Sequence, residues 1–240
     1  MTQIKIYDVS DRASPVLKRN VTLNGWYFNS RMIGDYVYAV INSPAIRPVG
    51  EEVEVILPRI YSDGRIKDVN ATNIYYANVS DVFQAFTTIV AVNVQNDMEE
   101  PAHETILMGA SSSMYVSLNN LYITIPKWTV PEVTAAPGQG TVVSMIRAAA
   151  ESTLIYRINV KGREMRFEAS GEVPGMVLNQ FSMDEYDGYF RIATTTSQIA
   201  ISMEEAASKN HIYVLDMGLN IVGKLEDLAP GERIYSARFM

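Results

Sequence analysis

Residues 179–196 read NQFSMDEYDGYFRIATTT, and the dipeptide Asp187-Gly188 divides this stretch into two halves. Asp and Gly both tolerate the positive φ angles of a two-residue turn, and the residues on either side alternate between two faces, so the stretch predicts a β-hairpin. Its two strands are named A and B below. Two further stretches follow the same plan, RMIGDYVYAV at 31–40 around Gly34-Asp35 and VSLNNLYITI at 116–125 around Asn119-Asn120.

A second kind of hairpin alternates with the first. Its leading strand, C, ends in Asp or Asn and precedes a polar turn and a shorter strand, D. The strands follow one another in the order C-D, then A-B-C-D three times, then A. This order predicts an all-β chain of β-propeller blades, each of which is a four-stranded antiparallel meander. We expect about three full blades plus half-blades at each end, with RIYSARFM at 233–240 as a final A strand. The C strands are IKIYDV (Ile4–Val9), IVAVNV (Ile89–Val94), LIYRINV (Leu154–Val160) and IYVLDM (Ile212–Met217).

The connections between strands B and C are longer than a compact blade needs. The repeated Asp or Asn positions lie 85, 66 and 57 residues apart, whereas a WD-type repeat takes roughly 40–45 residues. The additional residues fall mainly into two insertions, at about 42–80 and about 126–152. We expect residues 1–240 to form a single partial propeller domain that carries both insertions. Asp63-Gly64 predicts a hairpin inside the first insertion. Corresponding insertions project from one face of a propeller, where binding often occurs.

Composition excludes several classes of site. The formal net charge is −7 and the pI about 4.9, so neither a nucleic-acid-binding surface nor docking on anionic lipid is expected. Because the chain lacks cysteine, it forms no disulfides, thiolate metal sites or cysteine nucleophiles. No apolar run approaches the roughly 20 residues of a membrane span, and the first residues lack the apolar region of a signal peptide.

The acids of the quoted stretch admit two interpretations. Asp184, Glu185 and Asp187 lie within four residues, and carboxylates are the hard oxygen ligands that Ca²⁺ prefers. Their spacing differs from the D-x-D-x-D-G rule, however, and the hairpin accounts for Asp187 as a turn residue. We therefore predict a scaffold role and keep calcium as the alternative. The other two hairpins have no acids at the positions of Asp184 and Glu185, so the repeat leaves this pair unexplained.

Few other residues suggest chemistry. His103 and His211 are the only histidines, and neither stands in a metal-ligand or nucleophile pattern, so we assign no catalytic residue. No glycine-rich loop leads from a strand into a helix, so no nucleotide cofactor is expected. Trp128 lies in the second insertion and is the better aromatic candidate for ligand binding. Glycosylation sequons begin at Asn20, Asn70 and Asn78.

Several segments together resemble a known family: VLNQFSMDEYDGYFRIATTT, IYVLDMGLNIVGKLEDLAPGERIYSARFM and IKIYDVSD. They are similar to the secreted archaeal and bacterial proteins that contain a C-terminal β-propeller domain distantly related to WD repeats. The resemblance spans nearly the whole chain and implies a propeller fold and a secreted or cell-surface location. It supplies no active-site residues, because no activity is established for the family. Its members are longer, which implies that this chain is a fragment, and a homodimer that covers the open strand edges is expected.

We therefore expect a non-catalytic extracellular or cell-surface module that binds a protein or a glycan through its enlarged B–C insertions. No nucleic acid and no membrane insertion are expected. The alternative is a propeller hydrolase or lyase that acts on extracellular polysaccharide or peptide. That alternative needs carboxylates or histidines that converge at one face, and convergence of this kind depends on the fold rather than on the order of residues in the chain.

Overall fold

A computed structural model describes residues 1–62, 64–76, 85–109, 111–129, 150–197 and 208–240. Strands dominate these residues, whose only helical turns are short 3₁₀ turns at Ala71–Asn73 and Gln180–Ser182, so the all-β prediction is confirmed. No helix in the described ranges is long or apolar enough to span a membrane. The strands, in chain order, are β1 (Thr2–Asp8), β2 (Val16–Leu23), β3 (Trp26–Ile33), β4 (Tyr36–Pro44), β5 (Ile46–Val49), β6 (Glu52–Val55), β7 (Arg59–Ser62), β8 (Arg65–Asp68), β9 (Ile74–Tyr76), β10 (Ala85–Asn93), β11 (Ala102–Met108), β12 (Ser113–Val116), β13 (Asn120–Thr129), β14 (Ala150–Lys161), β15 (Glu164–Pro174), β16 (Met176–Val177), β17 (Met183–Tyr186), β18 (Tyr189–Thr196), β19 (Lys209–Leu215) and β20 (Ile221–Leu228).

Three sheets reproduce the predicted A-B-C-D order. They run β3-β4-β10-β11 (sheet 2), β12-β13-β14-β15 (sheet 3) and β17-β18-β19-β20 (sheet 4). In sheets 2 and 4 each of these neighbours is antiparallel. The remaining C-D pair, β1 and β2, belongs to sheet 1, whose order is β1-β2-β7-β8. The meander read from the repeats is therefore the arrangement of the strands.

The turns of the A–B hairpins follow the predicted chemistry in two cases of three. Asp187 and Gly188 both have positive φ, 49° and 75°, and Gly34 has φ 56°. The prediction of a two-residue turn at Asn119-Asn120 is wrong, because Val116 pairs with Leu121 and four residues separate them. The carbonyl of Asn119 accepts the backbone N–H of Val160 (2.8 Å), but the carbonyl of Asp35 accepts the N–H of Val94 in the same way (2.8 Å) at a two-residue turn, so this bond does not account for the longer loop.

The repeated Asp or Asn at the end of strand C has a structural role in the turn that follows. Asp8 and Asn93 each accept, through Oδ1, the backbone N–H two residues on (both 2.9 Å), and Asp216 accepts the N–H four residues on (2.9 Å). These are the local side-chain bonds that favour Asp and Asn in turns. Asn159 differs, since its Nδ2 donates to the carbonyl of Asn119 (2.9 Å).

The first insertion adds strands to two sheets. Its predicted hairpin is confirmed in β7 and β8, although Asp63 itself lies outside the described residues, and β7 pairs with β2 in sheet 1. β9 pairs in parallel with β11 at the edge of sheet 2. The expectation of a purely projecting loop is therefore corrected, because unpaired backbone groups at both sheet edges find partners in the insertion. Among the described strands, β5 and β6 form a separate two-stranded sheet.

The final segment also differs from expectation. Residues 233–240 contain no strand, so the prediction of a further A strand is wrong. The backbone N–H of Ile234 donates to the side-chain hydroxyl of Thr195 on β18 (3.4 Å) rather than to a backbone carbonyl. A strand requires a ladder of backbone bonds, and no described strand forms one with this segment.

The chain divides into two compact units. The first unit holds residues 1–111, 118–120 and 158–167, and the second holds 112–117, 121–157 and 168–240. Each has a core of buried aliphatic or aromatic side chains, as the burial of one face of each sheet requires. One domain over 1–240 stays a prediction. The buried cluster in the first unit is Val21, Leu23, Ala39, Ile41, Ile60, Val90 and Val92, and that in the second is Tyr122, Ile155, Val173, Met183, Phe190, Ile192, Tyr213, Leu215 and Leu219.

Candidate functional site

The acids singled out in the sequence lie on and beside β17, in the second unit. Asp184 stands opposite Arg191 of β18, whose Nε donates to its Oδ2 (3.0 Å). The Arg191 guanidinium carbon also lies 5.1 Å from the centroid of the Tyr186 ring, a cation–π distance. Asp187 occupies the exposed turn. Asp184 is thus held by a cross-strand ion pair within its own hairpin.

Glu185 accepts bonds from hydroxyl groups of the neighbouring strands. Its Oε2 receives the Tyr122 hydroxyl (2.6 Å) and the Ser117 hydroxyl (2.9 Å). Tyr122 is fully buried and stacks on Phe190 with ring centroids 4.1 Å apart. Burial first, and then the bond to Glu185, raise the pKa of the Tyr122 phenol, so it donates to the carboxylate and stays protonated.

Tyr115 joins the two acids into one network. Its hydroxyl accepts the backbone N–H of Glu185 (3.1 Å) and donates to Asp184 Oδ1 (3.4 Å). Protein donors therefore reach both carboxylates, which is the arrangement expected of scaffold. In the described part of the chain no three His, Cys, Asp or Glu side chains group as metal ligands. Calcium binding by Asp184, Glu185 and Asp187 stays a prediction.

Two adjoining cavities lie in the first unit. The larger, about 560 Å³, lies where β1 and β2 meet the turn after β10, and we name it the polar cavity. Its lining includes the half-exposed ring of Tyr7 and hydrogen-bonding side chains. The residues that line it are Ile6, Tyr7, Asp8, Val9, Ser10, Lys18, Val94, Gln95 and Asp97.

The second cavity, about 360 Å³, shares Lys18 and Asp97 with the first, and we name it the basic cavity. Four basic side chains line it, together with the carboxylates of Asp97 and Glu100. The cavity is bounded by β2, by the β7–β8 hairpin of the insertion and by the β10–β11 turn. The basic residues are Lys18, Arg19, Arg65 and Lys67.

Ion pairs fix some of these basic side chains. Arg65 lies 2.9 Å from Glu100 Oε1, and Lys18 lies 3.6 Å from Asp8 Oδ2. Arg19 is only 3% exposed, and its Nη1 donates to the carbonyl of Asn96 (3.5 Å). Sequence reasoning missed this cluster because its members are scattered between residues 18 and 67 and meet only when β7 pairs with β2.

Three further titratable groups are buried or partly buried. Burial raises the pKa of Glu104 to about 7, and its Oε1 has no hydrogen-bond partner. Burial, and then the charge of Lys67, lower the pKa of His103. Burial also lowers the pKa of His211. The Asp227 N–H donates to His211 Nδ1 (3.3 Å), so the neutral ring carries its proton on Nε2, toward the hydroxyl oxygen of Thr196 (3.0 Å).

The remaining candidates are spread over several elements. Trp128 lies near the end of β13 and is 60% exposed. Among the sequon residues, Asn20 lies on β2 with a buried Oδ1, and exposed Asn70 caps the first 3₁₀ turn by accepting the N–H of Thr72 (3.1 Å). Asn78 lies outside the described residues. Each of the described candidates, Trp128, Asn20 and Asn70, thus lies outside β17.

Comparisons with known proteins identify a family for this chain but do not identify an activity. The family model described as "Beta propeller domain" matches residues 1–240. An uncharacterized protein of Methanocaldococcus jannaschii is 48% identical over 90 residues, which are 38% of this chain and 14% of that protein. An uncharacterized protein of Archaeoglobus fulgidus is 23% identical over 272 residues, covering 90% of this chain and 42% of that protein. The chain spans less than half the length of either relative, and no solved structure matches it.

Proposed function

The chain belongs to the β-propeller domain family, and from this we propose that it is a non-catalytic interaction module that binds a protein or a glycan outside the cell. The observation that supports the proposal is the pair of adjoining cavities in the first unit, of about 560 and 360 Å³. Ligand sites typically measure roughly 300–1,000 Å³ and combine a scaffold of regular elements with a few placed polar groups.

The insertion supports the same role. Its β7–β8 hairpin supplies Ser62, Arg65 and Lys67 to the wall of the basic cavity. Pairing with β2 holds this wall on a continuous sheet rather than on a loose loop. A site built on strands keeps its geometry when the ligand is absent, which lowers the entropic cost of binding.

The enzyme alternative is less well supported by the groups at the cavities. Hydrolysis of a glycosidic bond uses one carboxylic acid with a raised pKa beside a carboxylate. Hydrogen bonds from Ser10 instead lower the pKa of Asp8, and Glu100 is paired with Arg65. Glu104, the carboxyl whose pKa is raised, does not line either cavity.

The test uses the 240-residue chain on glycan and secreted-protein arrays, followed by turnover assays on every ligand retained. We expect retention without turnover, and we expect Tyr7→Ala and Gln95→Ala to weaken it. Replacement of Asp184 or Asp187 with Ala is the matched control and should leave retention unchanged. Substrate turnover that is lost in Asp97→Asn, or in an Ala variant at Asp184, Glu185 or Asp187, would establish the enzyme instead.

We also propose that the isolated chain self-associates. In the described structure β1 has β2 as its only strand neighbour, and an edge of unpaired N–H and C=O groups promotes pairing between chains. Light scattering alongside the array measurements should therefore give a mass near twice that of the chain. A monomer at all accessible concentrations would exclude the homodimer without affecting the proposed binding role.

A further inference from the structure

The basic cavity reverses the charge balance of the chain. The whole sequence contains 20 Lys and Arg against 27 Asp and Glu. Among the described residues, four basic side chains and two carboxylates line the cavity. One of those carboxylates, Glu100, pairs with the exposed guanidinium of Arg65. A locally positive cavity on an acidic chain favours an anionic ligand over a cationic one.

Strand register explains why the charges converge. Side chains two residues apart share a face, so Arg19 lies on the same face of β2 as buried Val21. Val21 pairs with Ser62, and Ser62 pairs with Arg65 across the β7–β8 hairpin. Lys67 follows Arg65 on the same face of β8. Three basic residues thus lie along the margin of a face whose centre is apolar core.

The environment strengthens the attraction for an anion. Arg19 is 3% exposed, so its guanidinium acts where the effective dielectric constant is lower than that of water. Lys67 has no ion pair with a carboxylate in the described part of the chain. Its positive charge contributes to the lowered pKa of His103 on β11. An oxyanion that enters the cavity would meet the planar guanidinium group of an arginine and the compact ammonium group of Lys67. Proteins use both groups to bind carboxylate and sulfate.

The adjoining polar cavity indicates what carries the anion. Its lining offers hydroxyl, amide and carboxylate partners from Ser10, Gln95 and Asp97, and an aromatic ring from Tyr7, which is 47% exposed. Sugar hydroxyls match such hydrogen-bonding groups, and the face of a sugar ring packs on an aromatic ring. An apolar peptide side chain would find little complementary lining there.

We infer that the two cavities form one groove that binds an acidic oligosaccharide, with its carboxylate or sulfate group in the basic cavity and a sugar ring against Tyr7 in the polar cavity. The inference rests on the proposed binding function and narrows its ligand class. Lys18 and Asp97, which line both cavities, then contact the junction between the two halves of the ligand.

Calorimetry of the 240-residue chain tests the charge of the ligand. The probes are trigalacturonate, its fully methyl-esterified neutral form and a sulfated galactan oligosaccharide. We expect the ester to bind at least about tenfold more weakly than the free acid, because it lacks the carboxylate charge. The carboxylate and sulfate arms then show which oxyanion fits better. Raising NaCl from about 50 to about 500 mM should weaken binding, since the Debye length shortens.

Two variants locate the anion. Lys67→Gln and Arg65→Gln should each lower the affinity for the better acidic probe by about three- to tenfold, the effect of one charged contact. Lys5→Gln is the matched control, because it changes net charge equally from an exposed position on β1. Circular dichroism and Tm of each variant confirm that it remains folded. The control should bind as the unchanged chain does.

Four results would overturn the inference. They are equal binding of the ester, affinity unchanged in Lys67→Gln, absence of binding to both acidic probes, and displacement by hexaglutamate at the same concentration as trigalacturonate. Displacement by hexaglutamate would mean that the groove binds an acidic peptide. If the arrays retain a protein or a neutral glycan despite these results, the proposed binding function remains supported. Turnover of a retained ligand would overturn that proposed function independently of the inference about the acidic oligosaccharide.

Discussion

Two charged clusters of this chain differ in what surrounds their charges. On β17, the carboxylates of Asp184 and Glu185 receive bonds from tyrosine and serine hydroxyls and from Arg191. In the first unit, basic side chains line a cavity of about 360 Å³. The acids are adjacent in sequence and suggested a site, whereas the basic residues are scattered and did not.

The difference lies in how far the protein encloses the charges. A charge whose hydrogen-bonding capacity is met by neighbouring side chains contributes to the fold, and breaking the network costs stability. Arg65 and Lys18 of the basic cavity also have partners, Glu100 and Asp8, but these ion pairs are exposed, and an exposed pair contributes little stability and can exchange its partner for an anion from solution. Substitutions in the acid network should therefore change stability and not binding, whereas substitutions of the exposed Arg65 and Lys67 should change binding and not stability.

The largest expected effect is at Glu185. Glu185→Ala leaves the buried Tyr122 hydroxyl without its acceptor, and we expect the free energy of unfolding to fall by about 2–3 kcal/mol. Urea denaturation followed by circular dichroism measures this change. Asp187→Asn is the matched control, with an expected change below about 0.5 kcal/mol, because Asn tolerates the positive φ of that turn position.

A double-mutant cycle with Tyr122→Phe would sharpen the assignment. If the two side chains act through their shared bond, the coupling energy should exceed about 0.5 kcal/mol. A contrary result would be a calcium-dependent rise in Tm that Glu185→Ala abolishes. That result would mean that Asp184 and Glu185 bind the cation, and the scaffold interpretation would be wrong.

Glu104 is a partly buried acid whose buried Oε1 has no hydrogen-bond partner. Its pKa of about 7 lies above the ordinary 4.5, so the folded state binds more protons than the unfolded state between these values. Stability from this group therefore falls as pH rises from 4.5 to about 7. Glu104→Gln should raise the free energy of unfolding by about 1–2 kcal/mol at about pH 8 and change it little at about pH 4.

Denaturation at both pH values measures this effect, with exposed Glu51→Gln as the control. The pH dependence distinguishes desolvation from loss of packing, because a packing change would appear equally at both values. An equal effect of Glu104→Gln at acid and alkaline pH would contradict the assignment. Glu104 would then resemble the acids of β17, whose partners are within the protein.

Much of the fold could be predicted because its signals are local. The turn chemistry of Asp187-Gly188 and the repeated Asp or Asn after strand C act within a few residues, and the structure shows both in place. The pairing of β7 with β2 is not local, since it joins residues about forty positions apart in the chain. The basic cavity depends on that pairing, and therefore no local pattern in the sequence predicts the cavity.

The failures have the same cause. Asn119-Asn120 has suitable turn chemistry, but the pairing of β12 with β13 stops at Val116 and Leu121 and leaves a four-residue loop. RIYSARFM has the composition of a strand, but no described strand pairs with it. In each case the pairing between strands, rather than the local propensity of the segment, decides the conformation, as it commonly does for β structure.

Two turn glycines test the comparison more finely. Gly188 follows the acids and Gly64 precedes Arg65, with φ of 75° and 80°, and a Cβ added to either would have no neighbouring atom within 4 Å. Changing either to Ala should cost about 1 kcal/mol of stability through backbone strain alone. Only Gly64→Ala should also weaken binding of the acidic probe, because it disturbs the hairpin that carries Arg65 and Lys67. Weakened binding in Gly188→Ala would contradict the separation of the two clusters.

The smallest expected effect on stability is at Trp128, and it decides between two aromatic residues. The ring is 60% exposed, so Trp128→Ala should change the free energy of unfolding by less than about 0.5 kcal/mol. If the groove is the binding site, Trp128→Ala should retain the affinity for the acidic oligosaccharide, whereas Tyr7→Ala should lose about tenfold, since stacking on an aromatic ring contributes roughly 1–2 kcal/mol. Calorimetry with both variants measures this. The opposite pattern would transfer binding to Trp128, the aromatic candidate that the sequence offered.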